Sequence, residues 1–207
     1  MPKELKKESF LDQLKALCPL VDNLRLMLGE ARHAFNRHSL AKLAEIARLR
    51  DDLTYDIDPF FETLEADLGK QAKAEAPDLL KFKEILSHLE FMADRIAALA
   101  EPIRRKGNQG VILSDQDFSH VNDLFSQQMG FLRALVDIFL YGDASLRAYV
   151  LKESQQVRDT CFQEEVSHES RMMEGPGQHN AWAVYIAILE RFQEILGHLM
   201  EIVKILE

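Results

Sequence analysis

The chain has 207 residues, 47% of them apolar, enough for one helical domain or two small ones around a continuous core. A net charge of −9, with no basic cluster beyond a short run from Lys3 to Lys7, argues against nucleic acid as a partner. Residues 1–12 are too polar for the apolar stretch of a secretory signal. The best apolar run, 131–141, contains Arg133 and Asp137 and is too short to span a bilayer. Two cysteines, Cys18 and Cys161, fit a reducing compartment, so the expected location is cytoplasmic.

Glycine and proline are scarce, at 9 and 6 residues, and they gather at 107–110, 142 and 175–177, which mark breaks. The stretches between carry helical periodicity without sustained strand alternation, so the expected fold is all-α with six long helices. The first runs over about 9–36, with a kink or restart at Pro19. Ser39 caps the second, which reaches about residue 70 with a bend at Pro59. The third covers about 78–106. Ser114 caps the fourth, with Asp117 three residues on in a capping-box-like arrangement, and Gly142 stops it. Asp143 caps the fifth, which ends near 173, and the sixth fills 180–207.

Two halves of this pattern match each other. At an offset of 100, Ile85 meets Tyr185, Leu89 meets Leu189, Glu90 meets Glu190, Asp94 meets Glu194, Leu99 meets Leu199 and Glu101 meets Glu201. At an offset of 104, Leu28 meets Leu132, Phe35 meets Phe139, Ser39 meets Asp143 and Ala44 meets Ala148. Caps fall on caps, which scattered apolar coincidence rarely produces. The third helix carries a heptad seam at Phe82, Ile85, Leu89, Met92, Ile96, Leu99 and Ile103. The sixth repeats it at Trp182, Tyr185, Leu189, Phe192, Leu196, Leu199 and Val203. The expected architecture is two tandem three-helix bundles, residues 1–110 and 111–207, joined in one compact unit.

The sixth helix reads Leu189-Glu190-Arg191-Phe192-Gln193-Glu194 and then Glu201; the third reads Leu89-Glu90-Phe91-Met92-Ala93-Asp94 and then Glu101. With the duplicated three-helix unit, these stretches make the chain resemble the PhoU family of phosphate-uptake regulators over nearly its whole length. The resemblance implies a regulator and not an enzyme. Such a protein senses or relays phosphate status by docking on a phosphate transporter subunit or a sensor histidine kinase at the inner membrane face. It also implies a homodimer and a surface metal cluster of iron, zinc or manganese. The family's second and fifth helices carry an Asp-x-x-x-Asp pair. Here the cap register places Arg50 and Thr54, and Ser154 and Arg158, at those positions. Asp51, Asp52 and Asp56 lie close by, as do Glu153 and Asp159 on the fifth helix.

The candidate metal ligands are therefore Glu90, Asp94, Glu190, Glu194, Asp51, Asp52 and Asp56. Residues four apart share a helix face, so Glu90 adjoins Asp94 and Glu190 adjoins Glu194. Each like-charge pair costs about 0.2–0.5 kcal/mol, which a cation would reverse. An ordinary solvated helix face has the same spacing. A second constellation, Glu30 with His33 and Glu165 with His168, has the Glu-x-x-His spacing of di-iron carboxylate bundles. It gives the alternative of a metal-carboxylate enzyme or storage bundle, although His33 maps onto Asp137 and breaks the repeat. His88, His120, His179 and His198 have no local ligand partner, and His88 reads as a surface residue beside Glu84. No complete catalytic set is visible.

Overall fold

The structure is a computed structural model that describes residues 10–68, 76–172 and 179–207. These residues form the helices α1 (Phe10–Ala16), α2 (Cys18–Arg37), α3 (Leu40–Leu68), α4 (Ala76–Ala98), α5 (Ala100–Asn108), α6 (Asp115–Tyr141), α7 (Ala144–Met172) and α8 (His179–Ile205). Because α1 leads into α2 across Leu17, and α4 into α5 across Leu99, they make up the six expected rods. The expected ends at Ser9, Lys70 and Met173 lie outside the described residues. Among the described residues, no helix is long and apolar enough to cross a membrane.

The breaks follow proline chemistry, but not always where the sequence pattern puts them. The first rod restarts at Cys18, with Pro19 in the opening turn of α2, where its missing N–H costs nothing. The third rod, expected to be continuous, breaks at Leu99, whose amide donates to Ile96 O at 3.1 Å. Pro102 is the cause, since it has no N–H to offer the Ala98 carbonyl and the ladder tightens one turn earlier. Pro59 interrupts nothing: α3 runs through it.

The two long hairpins turn in the same way. At the end of α2, His38 adopts a left-handed conformation with φ of 53°; at the end of α6, Gly142 does so with φ of 66°. These residues are themselves 104 apart in sequence. The next residue caps the following helix each time. Ser39 Oγ accepts from Lys42 N at 3.4 Å, and Asp143 Oδ1 accepts from Ser145 N at 2.7 Å and Leu146 N at 3.2 Å. The cap expected at Ser114 is also present, its Oγ accepting from Asp117 N at 3.1 Å.

The core is one continuous cluster with members from both halves of the chain. Every expected seam residue of the third rod is buried, from Phe82 to Ile103. On α8 the seam from Tyr185 to Val203 is buried, and Trp182 is half-buried. The two seams face each other: α4 on α8 is the most extensive helix contact, and α2 on α6 also joins the halves. α3 covers α2 and α4, whereas α7 covers α8 and, less extensively, α6. α3 buries Leu43, Ile46, Leu49, Leu53, Ile57 and Leu64; α7 buries Val150, Ser154 and Cys161, so the second half has the thinner cover.

Candidate functional site

The carboxylates lie on the solvent side of the bundle, where arginines reach them. In the first half, Arg50 of α3 donates from Nε to Asp94 Oδ1 of α4 at 2.9 Å, and its Nη2 lies 2.9 Å from the same oxygen. That pairing holds the Arg50 guanidinium above its ordinary pKa. Arg50 also lies 3.5 Å from Asp51. Arg48 bridges Glu45, at 2.6 Å, and Asp52. Asp56 is exposed and Glu90 half-buried.

In the second half, Arg191 Nη1 lies 2.6 Å from Glu194 Oε2, and Arg95 of α4 reaches the same oxygen at 3.7 Å. An open cleft of about 430 Å³ between α7 and α8 is lined by Arg158, Glu165, Glu190, Arg191, Gln193 and Glu194 with Gly197. Gln193 Nε2 donates to Glu165 Oε1 across it. Arg158 enters the cleft half-buried, and its Nη1 comes within 4.0 Å of Met200 Sδ.

Thus the structure places an arginine beside the acidic helix face in each half. Arg50 stands at the first of the two register positions in the first half and Arg158 at the second of them in the second half. Among the described residues, no group of three or more histidine, cysteine, aspartate or glutamate side chains gathers as metal ligands would. As placed, the seven carboxylates do not fit a multi-ligand metal centre: several accept from guanidinium groups, whose charge repels a second cation.

Among the described side chains of the Glu-x-x-His pairs, no shared ligand set forms. Glu30 faces Lys42 at 2.7 Å, His33 is exposed, and the side chain of His168 lies outside the described residues.

The chain pattern missed three polar contacts of the interior. His88, expected at the surface beside Glu84, is half-buried, its Nδ1 3.0 Å from Nδ1 of His198 on α8. Burial pushes both imidazoles below their ordinary pKa. His120 Nδ1 lies 2.6 Å from the hydroxyl of Tyr185. Lys106 is buried, with its ammonium 3.3 Å from Phe35 O, 3.4 Å from His38 Nε2 and 4.9 Å from the Phe35 ring centre. Burial pushes its pKa down. Each contact joins residues 65 or more apart in sequence, so local spacing holds no sign of it.

The whole architecture has counterparts among solved structures. PhoU from Pseudomonas aeruginosa superposes with a TM-score of 0.80 at 18% identity, over 94% of this chain and 93% of that one. The chain has the PhoU fold. The phosphate transport system regulatory protein PhoU from Streptococcus pneumoniae superposes equally well, with a TM-score of 0.80 at 15% identity, over 96% of this chain and 95% of that one. No family model and no curated protein matches the sequence. At below 20% identity, these superpositions show a shared fold.

Proposed function

We propose that the chain is a non-enzymatic regulator of a phosphate transport system, acting from the cytoplasmic side by docking on a transporter subunit or on a sensor histidine kinase. One observation carries this reading: nearly the full length of both chains superposes on a protein described as a phosphate transport system regulatory protein. What the described residues expose is mainly helix faces, which suits docking. The chain carries a net charge of −9, which suits a partner surface rich in lysine and arginine. In this reading Asp51, Asp52, Asp94 and Glu194 are balanced by the arginines beside them. Self-association into a homodimer belongs to the same proposal.

The test is genetic and direct. In the native host, deletion of the gene is expected to raise a phosphate-starvation reporter under phosphate-replete growth, and the intact chain restores repression. An unchanged reporter and unchanged phosphate uptake in the deletion strain would contradict the reading.

A further inference from the structure

The contact between His88 and His198 sits in the seam between α4 and α8, where the two halves of the chain meet. It is not part of the acidic outer faces. The two Nδ1 atoms point at each other across 3.0 Å. A hydrogen bond there takes one proton shared between two ring nitrogens. The same geometry suits a second occupant. Zinc binds imidazole nitrogen at about 2.0–2.1 Å, so two nitrogens on one tetrahedral zinc stand about 3.3 Å apart. The present spacing needs to open by a few tenths of an ångström, which a small χ rotation on each half-buried side chain supplies.

Burial weighs most on both imidazoles and keeps them neutral, the form that ligates a metal, and carboxylates stand near the pair. His198 and Glu201 are three apart on α8, and His88 and Glu84 four apart on α4, so each histidine shares its helix face with a carboxylate. Both carboxylates act electrostatically on His88, and Glu201 and Glu194 act on His198. Arg95 opposes them at His198. Glu201 is bound to Lys204 at 2.7 Å, and both side chains are half exposed, so that ion pair is cheap to exchange. The ring of Phe91 packs on His198 with centres 5.4 Å apart and covers one side of the pair.

We propose that His88 and His198 form a bridging site for an imidazole-preferring divalent transition metal such as zinc, completed by Glu201 and water. The site staples α4 to α8 and so ties the first half of the chain to the second. Two side chains supply the nitrogen ligands, and the third ligand arrives by a rotamer change of Glu201. The preference for zinc, copper or nickel over magnesium and calcium follows from the nitrogen donors. The site is independent of phosphate regulation, so its failure leaves that reading untouched.

The experiment is thermal unfolding of the purified full chain with zinc chloride, against magnesium chloride as the hard-cation control. Zinc at an excess over its dissociation constant is expected to raise Tm by at least about 3 °C with one ion per chain, and magnesium to leave it unchanged. His88→Gln and His198→Gln each abolish the shift, Glu201→Gln weakens it, and His179→Gln, at an exposed position of the same helix, leaves it intact. If the variants fail to fold, X-ray absorption at the zinc edge of the wild-type complex decides. Two imidazoles in the zinc shell support the site; a shell of oxygen alone, or one containing sulfur, overturns it. No zinc-specific shift, or a shift that survives in the His88→Gln/His198→Gln double variant, also overturns it.

Discussion

Replacing Phe35 by alanine perturbs the place where the two halves share their core. Phe35 on α2 is fully buried, stacks on Phe118 of α6 at 5.2 Å, meets Phe125 of α6 at 6.1 Å, and lies beneath the Lys106 ammonium. Truncating a buried phenylalanine costs about 3–5 kcal/mol. Of this, the aromatic pairs supply about 0.5–1.5 kcal/mol each, and the cation over the ring about 0.5–2 kcal/mol. With a urea m-value of about 3 kcal/mol/M, the midpoint falls by about 1–1.7 M. The assay follows unfolding by far-ultraviolet circular dichroism and by fluorescence of Trp182, the single tryptophan, which lies on α8. Because the core is continuous, both signals are expected to shift together, although the substitution is in the first half and the tryptophan in the second. A Phe35→Leu/Phe125→Leu double-mutant cycle is expected to give a coupling of about 0.5–1.5 kcal/mol. A tryptophan midpoint that stays put while part of the dichroism signal melts early would refute the shared core.

Other expected outcomes are smaller and as easily checked. Ser114→Ala removes the oxygen that accepts from Asp117 N and is expected to cost about 1 kcal/mol, read from urea denaturation; no loss would mean that the cap is dispensable. Gly142→Ala meets no atom within 4 Å, so its expected cost of about 1 kcal/mol is conformational, from the φ of 66°. Burial pushes the thiol of Cys161 up to about 12, so an alkylating reagent is expected to leave it unmodified in the native chain and to modify it in guanidinium; rapid native labelling would contradict its burial.

His38 and Lys106, which face each other, both contribute to the pH response. The imidazole of His38 is lowered, first by burial and then by Lys106, so the unfolded state binds more protons as pH falls below the ordinary histidine value of about 6.5. The stability it contributes is present above that pH and lost as pH falls through the folded value. Lys106 is lowered by burial, so stability rises with pH toward its ordinary value near 10.4. Tm measured against pH is expected to lose part of its acid slope in His38→Gln, the rest staying with His88 and His198, and to lose the alkaline rise that Lys106 contributes in Lys106→Met.

The fold was legible because its signals are local. Seam residues such as Leu89 and Leu199 repeat at helical spacing, and Ser39, Ser114 and Asp143 cap the starts of α3, α6 and α7. Leu99 shows the limit of such reading: a proline disrupts the helix at a distance set by the carbonyl it leaves unpaired, so the break precedes Pro102 by a turn. The site was less legible. The departures at Arg50 and Arg158 could be found by aligning caps, but that Arg50 reaches Asp94 depends on how α3 lies on α4. The pairing of His88 with His198 depends on the antiparallel register of α4 and α8, which also brings Arg95 to Glu194. No spacing within either helix encodes that register.

The most direct test of the account is the affinity of the purified chain for the cytoplasm-facing subunits of its host's phosphate transporter and for the cytoplasmic region of the partnering sensor kinase, measured by biolayer interferometry at rising salt. The account predicts saturable binding to at least one of them, weakening as salt screens the acidic helix faces. Absence of binding to both at low salt, with the chain shown folded by circular dichroism, would contradict it.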